Sequence, residues 1–214
     1  MSFTSPIIAI DGPAASGKST VAKRIAKELG ITFVSSGAMY RAFTWWVLEK
    51  EVEPSDTTAV VELLEATQFQ CGEENSAGTI AIDGQKVTPA QMSEEEVNQN
   101  VSLVAAIPEV RTRLVAQQRR YADESGVVME GRDIGSVVFP DTPWKFYIDA
   151  SPEVREQRRR AQGIVDSIAK RDRIDSSRKA SPLVIPKGAI VVDSSDLTAE
   201  EVVDRVIAEI RSGS

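Results

Sequence analysis

Residues 12–19 read Gly-Pro-Ala-Ala-Ser-Gly-Lys-Ser, the spacing G-x-x-x-x-G-K-[ST], and they follow the apolar run IIAID at 7–11. Between a strand and a helix, that spacing is the phosphate loop of nucleoside triphosphate binding. The backbone of Gly12, Pro13, Ala14, Ala15, Ser16 and Gly17 can wrap a β-phosphate at the helix N-terminus that Thr20 continues. Lys18 can reach the β- and γ-phosphates, and the Ser19 hydroxyl can ligate Mg²⁺. The competing reading, a Gly-rich turn with a solvated lysine, is disfavoured by the full spacing and its flanks. The loop implies a bound polyphosphate and does not name the reaction. A switch GTPase would need a guanine-reading N-K-x-D segment, which the chain lacks, so transfer to a small acceptor is favoured over switching.

Three further stretches could hold an anionic acceptor. SSGAMYR at 35–41 brings Ser36, Tyr40 and Arg41 onto the start of a helix; EGRDIGSVVFPD at 130–141 sets Arg132 and Asp133 after an apolar strand; KRDRIDSSRKASPL at 170–183 interleaves Arg171, Arg173 and Arg178 with Asp172 and Asp175. Residues 151–180 hold nine Lys or Arg against five acids, in a chain of net charge −7. A charge run usually means a solvated face. With an anionic ligand already implied, arginines supply forked donors for phosphate oxygens.

The elements that must position these residues follow from the apolar pattern. Residues 7–11 predict a buried strand, and Val21, Ala22, Ile25, Ala26 and Leu29 recur at helical spacing up to Gly30, a helix-ending glycine. Asp11 reads as the strand's terminus rather than a catalytic acid. A short strand is expected at 32–34, a helix at 38–50, and another capped by Ser55 or Asp56. Residues 67–88 predict a small antiparallel hairpin or meander with an Asp83-Gly84 turn, inserted in an α/β frame. Helices follow at 94–105 and at 108–122, the latter with Pro108 at its first position. Strands are expected near Gly126, at 145–149 and at 189–193, an Arg-rich helix from Ser151 and Pro152, and a last helix behind a Thr198/Glu201 capping box. Five short apolar strands alternating with helices predict a three-layer α/β fold on a parallel sheet, with ligands outside the strands' carboxyl ends. Trp46 falls on an apolar helix face and reads as core, and Cys71 as a small core or surface residue.

Composition narrows the function. At 214 residues with 42% hydrophobic and 27% charged, the chain is a globular protein able to bury a large core without staples. Its acidic balance argues against coating nucleic acid or an anionic membrane. One cysteine and no histidine exclude an intrachain disulfide, a multi-Cys zinc site and a Ser-His hydrolase. With no signal peptide and no run long enough to span a bilayer, a cytoplasmic address is expected.

Taken together, GPAASGKST, SSGAMYR, SLVAAIPEVR at 102–111 with its neighbours, EGRDIGSVVFPD and RDRIDSSRKASPL occur in the order and approximate spacing of bacterial-type cytidylate kinases, which the chain resembles over almost its whole length. The resemblance implies a nucleoside-monophosphate-kinase fold. Residues 1–40, 106–150 and 180–214 would form the core, 41–105 an acceptor-binding insert, and 151–179 a lid with flanking helices. It implies transfer of the γ-phosphoryl group of ATP to CMP or dCMP with Mg²⁺, by a monomer. Arg41, Arg132 and Arg178 would grip the acceptor phosphate, Arg171 and Asp175 the sugar hydroxyls, and Ser102, Arg111 and Asp133 the base. Arg159, among Arg155, Arg158, Arg159 and Arg160, would stabilise the γ-phosphate. Two departures stand out: Glu130 replaces an Asp that many members carry, and the segment AQGIVDSIA before KRDRID is short for the family's lid. The rival readings are a kinase for another small acceptor, such as shikimate or a different nucleotide, and a regulatory protein that senses a nucleotide without turnover.

Overall fold

The computed structural model describes residues 6–122, 126–161 and 183–213. The chain divides into two compact units, residues 1–33 with 125–214, and residues 34–124.

The first unit is built on parallel strands. β1 (Ile7–Asp11) pairs with β6 (Val127–Gly131) on one side and β7 (Trp144–Asp149) on the other, and β7 pairs with β8 (Ile190–Asp193). The opening residues of β2 (Thr32–Ser35) lie beyond β6, with the Thr32 N–H donating to the Gly126 carbonyl at 3.1 Å. The five strands expected lie in the order β2-β6-β1-β7-β8, but the sheet numbers eight strands in all among the described residues, more than the apolar runs alone indicate. Side chains alternate along each strand. On one face Ile8 and Ile10 of β1, Val128, Phe146, Ile148 and Val192 meet Val21, Ala22 and Ile25 of α1 (Lys18–Leu29) and Val202, Val206 and Ile207 of α7 (Ala199–Ser212). Ile8, Ile10, Ile25 and Val206 are fully buried, and each such side chain contributes about 1.5–3 kcal/mol relative to exposure. Asp11, odd in the alternation, falls on the opposite face at the carboxyl end.

Both helices end as their residues dictate. Gly30 closes α1 in the left-handed region at φ 66°, its N–H donating to the Ala26 carbonyl. Thr198 and Glu201 form the reciprocal capping box of α7. α6 (Pro152–Ala161) carries the arginine-rich run.

The second unit holds α2 (Ser36–Glu49), α3 (Thr57–Ala66), α4 (Glu95–Val104), α5 (Pro108–Arg120) and an antiparallel meander of β3 (Phe69–Glu74), β4 (Ala77–Ile82) and β5 (Gln85–Lys86). Both tight turns have two central residues at positive φ, Asn75 and Ser76 at 53° and 57°, Asp83 and Gly84 at 48° and 80°; this backbone twist matches that of paired strands. Asp56, rather than Ser55, caps α3, its carboxylate accepting from the Ala59 N–H at 3.0 Å. Trp46 is buried and donates its indole N–H to the Thr67 hydroxyl at 3.2 Å, while Phe43 packs on Phe69 with ring centroids 5.6 Å apart. No helix among the described residues is long and apolar enough to cross a membrane.

Candidate active site

Gly12–Gly17 leaves the carboxyl end of β1 and enters α1 through three left-handed residues: Gly12 (φ 148°), Ala15 (59°) and Gly17 (92°). Ala15 is the costly one, since a side chain in this region costs about 1–2 kcal/mol. Such reversals turn consecutive N–H groups to one side and make an anion-binding nest. Gly17 caps α1 without a side-chain hydrogen bond, so the helix presents its first N–H groups to that concavity. Gly12 is required by space as well as by conformation: a Cβ there would stand 2.0 Å from the Ile148 carbonyl oxygen. The Ser16 hydroxyl is buried with no hydrogen-bond partner among the described residues. An orphaned hydroxyl inside the loop is a donor waiting for a ligand oxygen.

If the N–H groups face the ligand, the carbonyls must face away and find donors elsewhere. They do. The Lys18 ammonium, 5% exposed, donates to the Pro13 carbonyl at 2.6 Å. Arg155 of α6 bridges the Ala14 and Ala150 carbonyls through Nη1 (3.2 Å) and Nε (3.1 Å). Arg158 donates to the Ser16 carbonyl at 3.3 Å and to the Ser194 hydroxyl and carbonyl at 3.0 and 2.7 Å. Ser194, just past β8, places its single hydroxyl proton between the carbonyls of Ser16 (3.0 Å) and Asp149 (2.9 Å). Arg155 and Arg158 are thus committed to loop geometry, a use the arginine run did not signal. Arg160 pairs with Glu156 on the surface at 3.5 Å, and Arg159 is half-buried.

Arg132 and Asp133 follow β6 at the same edge of the sheet. Arg132 is half-buried, Asp133 is 3% exposed, and the Asp133 carbonyl accepts from the N–H groups of Val137 and Val138. The next residues, Ile134–Val138, form one π-helical turn. β1 anchors it. Both carboxylate oxygens of Asp11 accept backbone N–H groups of this turn, from Ile134 and Gly135, each at 2.7 Å. Burial pushes the Asp11 carboxyl up from 3.8 to about 6; the two N–H bonds pull it down, the Asp133 charge raises it further, and the Lys18 charge lowers it. Asp11 is the strand's terminus, as expected, and also the anchor of the Asp133 turn, a partnership with no local signal in the chain.

In the second unit, Ser35 caps α2 by accepting from the Ala38 N–H at 3.4 Å, so the helix begins at Ser36 instead of residue 38. Ser36 and Tyr40 are buried and Arg41 half-buried one turn on. Arg41 donates through Nη1 to the Asn98 side-chain oxygen. Arg111 of α5 is 3% exposed; it donates to the Ala105 carbonyl at 3.1 Å and stacks its guanidinium 5.2 Å from the Tyr40 ring centre. Ser102 on α4 is half-buried. Thus Tyr40, Arg41 and Arg111 gather on neighbouring helices of one unit, while the phosphate loop, Arg132, Asp133 and Arg159 belong to the other. Arg171, Asp175 and Arg178 lie outside the described residues.

A family model for cytidylate kinase matches residues 8–212. Curated relatives named cytidylate kinase include one from Caldanaerobacter subterraneus subsp. tengcongensis, 44% identical over 97% of this chain and 95% of its own. Another, from Geobacillus sp. (strain WCH70), is 44% identical over 94% of both chains. A third, from Streptomyces avermitilis, is 42% identical over 94% of this chain and 90% of its own. With a phosphate loop built as described and a match of this extent, the chain belongs to the cytidylate kinase family and is a nucleoside monophosphate kinase.

Proposed function

We propose that the chain transfers the γ-phosphoryl group of ATP to CMP or dCMP, giving CDP or dCDP, with Mg²⁺ accompanying the donor. The observation that carries this reading is the phosphate loop whose carbonyls are tied outward and whose buried Ser16 hydroxyl has no partner among the described residues, in a chain of this family. Among the described residues no group of three His, Cys, Asp or Glu could hold a metal by itself. That fits Mg²⁺, which usually binds through substrate phosphates and few protein ligands; Ser19, exposed at the start of α1, would supply one. Bound there, the ion would neutralise charge on the donor's phosphates.

Phosphoryl transfer asks the protein for position and charge rather than for covalent chemistry, so a chain without histidine can perform it. Lys18 and Arg159 would stabilise the transferring group, and Arg41, Arg132 and Arg178 would align the acceptor phosphate, itself the nucleophile and largely ionised near neutral pH. Arg171 and Asp175 would hold the sugar. Cytosine offers an amino donor for Ser102 and Asp133 to accept, and N3 and O2 acceptors for Arg111; uracil would leave buried partners unmatched. Free nucleotides in the cytoplasm would be the substrates.

The test is ADP release from ATP with CMP, dCMP, UMP, AMP and shikimate in turn. Release strongest with CMP and dCMP is expected; release with shikimate or AMP instead would name another acceptor, and no release with any acceptor would favour a nucleotide sensor. Lys18→Ala should abolish transfer with the fold retained by circular dichroism, and near-normal turnover in that variant would remove the loop from the mechanism.

A further inference from the structure

Asn98 is the fourth residue of α4 and makes contacts in three directions. Its side-chain N–H₂ donates to the carbonyls of Ser93 and Glu94 at 2.9 and 3.0 Å. Its side-chain oxygen accepts from Nη1 of Arg41 on α2. These contacts fix the amide's orientation: both N–H donors are spent on the junction between the 3-10 turn Gln91–Ser93 and α4, so only the oxygen can face the guanidinium. Glu94 caps α4 without a side-chain hydrogen bond of its own, and Asn98 supplies two side-chain bonds at that junction.

Arg41 has a long, rotamer-rich side chain, and holding it in one pose costs about 2 kcal/mol of conformational entropy. A neutral acceptor is well suited to that task. It takes one of five N–H donors and, being neutral, brings no negative charge of its own to compete with an anion. An Asp there would form an ion pair and compete with the phosphate for the same charge.

We propose that Asn98 is a positioning residue for the acceptor phosphate, acting through Arg41: it prepays the ordering of the guanidinium and presents it to a nucleoside monophosphate. This rests on the assignment of Arg41 to the acceptor phosphate.

The experiment is a double-mutant cycle on the full chain, reading the KM for CMP and the KM for ATP in the wild type, Asn98→Ala, Arg41→Ala and the double variant. Asn98→Ala is expected to raise the KM for CMP about fivefold, the worth of one hydrogen bond, with the KM for ATP within about twofold. In the Arg41→Ala background the same change should add nothing. Asn98→Asp should raise the KM for CMP at least as much as Asn98→Ala, because it pairs the charge. Multiplicative effects in the cycle, or an Asn98→Ala enzyme with unchanged KM for CMP, would overturn the inference while leaving the role of Arg41 intact. An Arg41→Ala enzyme with unchanged KM for CMP would overturn both.

Discussion

The Ser194 hydroxyl stands 3.0 Å from the carbonyl of Ser16, and Arg158 donates to both residues. The phosphate loop is therefore held from behind by the segment after the last strand and by α6, so its N–H groups keep their direction before a ligand arrives. A preorganised cradle does not spend binding energy on reorganisation. Replacing Arg158 by Met removes charge-assisted bonds worth about 1.5–3 kcal/mol each, so the KM for the nucleotide donor should rise by about tenfold or more. The KM for the acceptor should stay within about twofold. Arg158→Lys, which restores one donor, should recover part of the loss, and Ser194→Ala should show a smaller change in the same direction. Equal effects on both substrates would mean that α6 supports the fold generally and not the loop.

Gly12 and Gly30 separate crowding from backbone strain. Both have positive φ, 148° and 66°, yet a Cβ at Gly12 would meet the Ile148 carbonyl oxygen at 2.0 Å whereas one at Gly30 meets nothing within 4 Å. Gly30→Ala should cost about 1 kcal/mol and leave turnover unchanged. Gly12→Ala must displace β7 backbone; a loss of about 3 kcal/mol or more in urea unfolding is expected, with transfer abolished. Comparable stability losses in the two variants would show that the loop yields where the geometry says it cannot.

The fold was readable because its signals are local. Gly30, Asp83-Gly84, Pro108 and the Thr198/Glu201 pair each act within one turn of chain, and the continuous apolar runs of β1, β6 and β7 announce burial on both faces. In the site, the 12–19 spacing carried the loop because one backbone shape demands those residues in that order. What escaped were partnerships across 100 residues or more: Asp11 with Ile134 and Gly135, and Ser16 with Ser194 and Arg158. An aspartate at a strand's end, a serine after another strand and an arginine in a charged run each have a bland local meaning. Only strand order places β1 between β6 and β7 and so brings Asp11 under the turn that carries Asp133. Asn98 escaped for a related reason: amide side chains on helices are common, and its fixed orientation arises from two carbonyls that a sequence does not display.

The same Asp11 makes stability depend on pH in an unusual direction. Its folded value, about 6, lies above the ordinary 3.8 because burial outweighs the two N–H bonds. Between those values the folded chain binds the proton that the unfolded chain has lost, so this group's contribution to stability is fully present below about pH 4 and is lost as pH rises through about 6. From pH 4.5 to 7 the loss amounts to about 2 kcal/mol. Asn cannot titrate, and Asp11→Asn keeps one oxygen for two donors, so it should be destabilised at every pH but lack this slope. The stability difference, wild type minus variant, should accordingly shrink by about 2 kcal/mol between pH 4.5 and 7 in urea unfolding. Activity should move the other way: protonation at Asp11 takes away acceptor capacity from the Ile134 and Gly135 N–H groups and loosens the turn behind Asp133. Transfer should therefore decline below about pH 6 in the wild type. A stability difference that does not change with pH would mean that the two N–H bonds hold Asp11 ionised throughout, and the acid decline in transfer would then have to come from the acceptor phosphate's own titration.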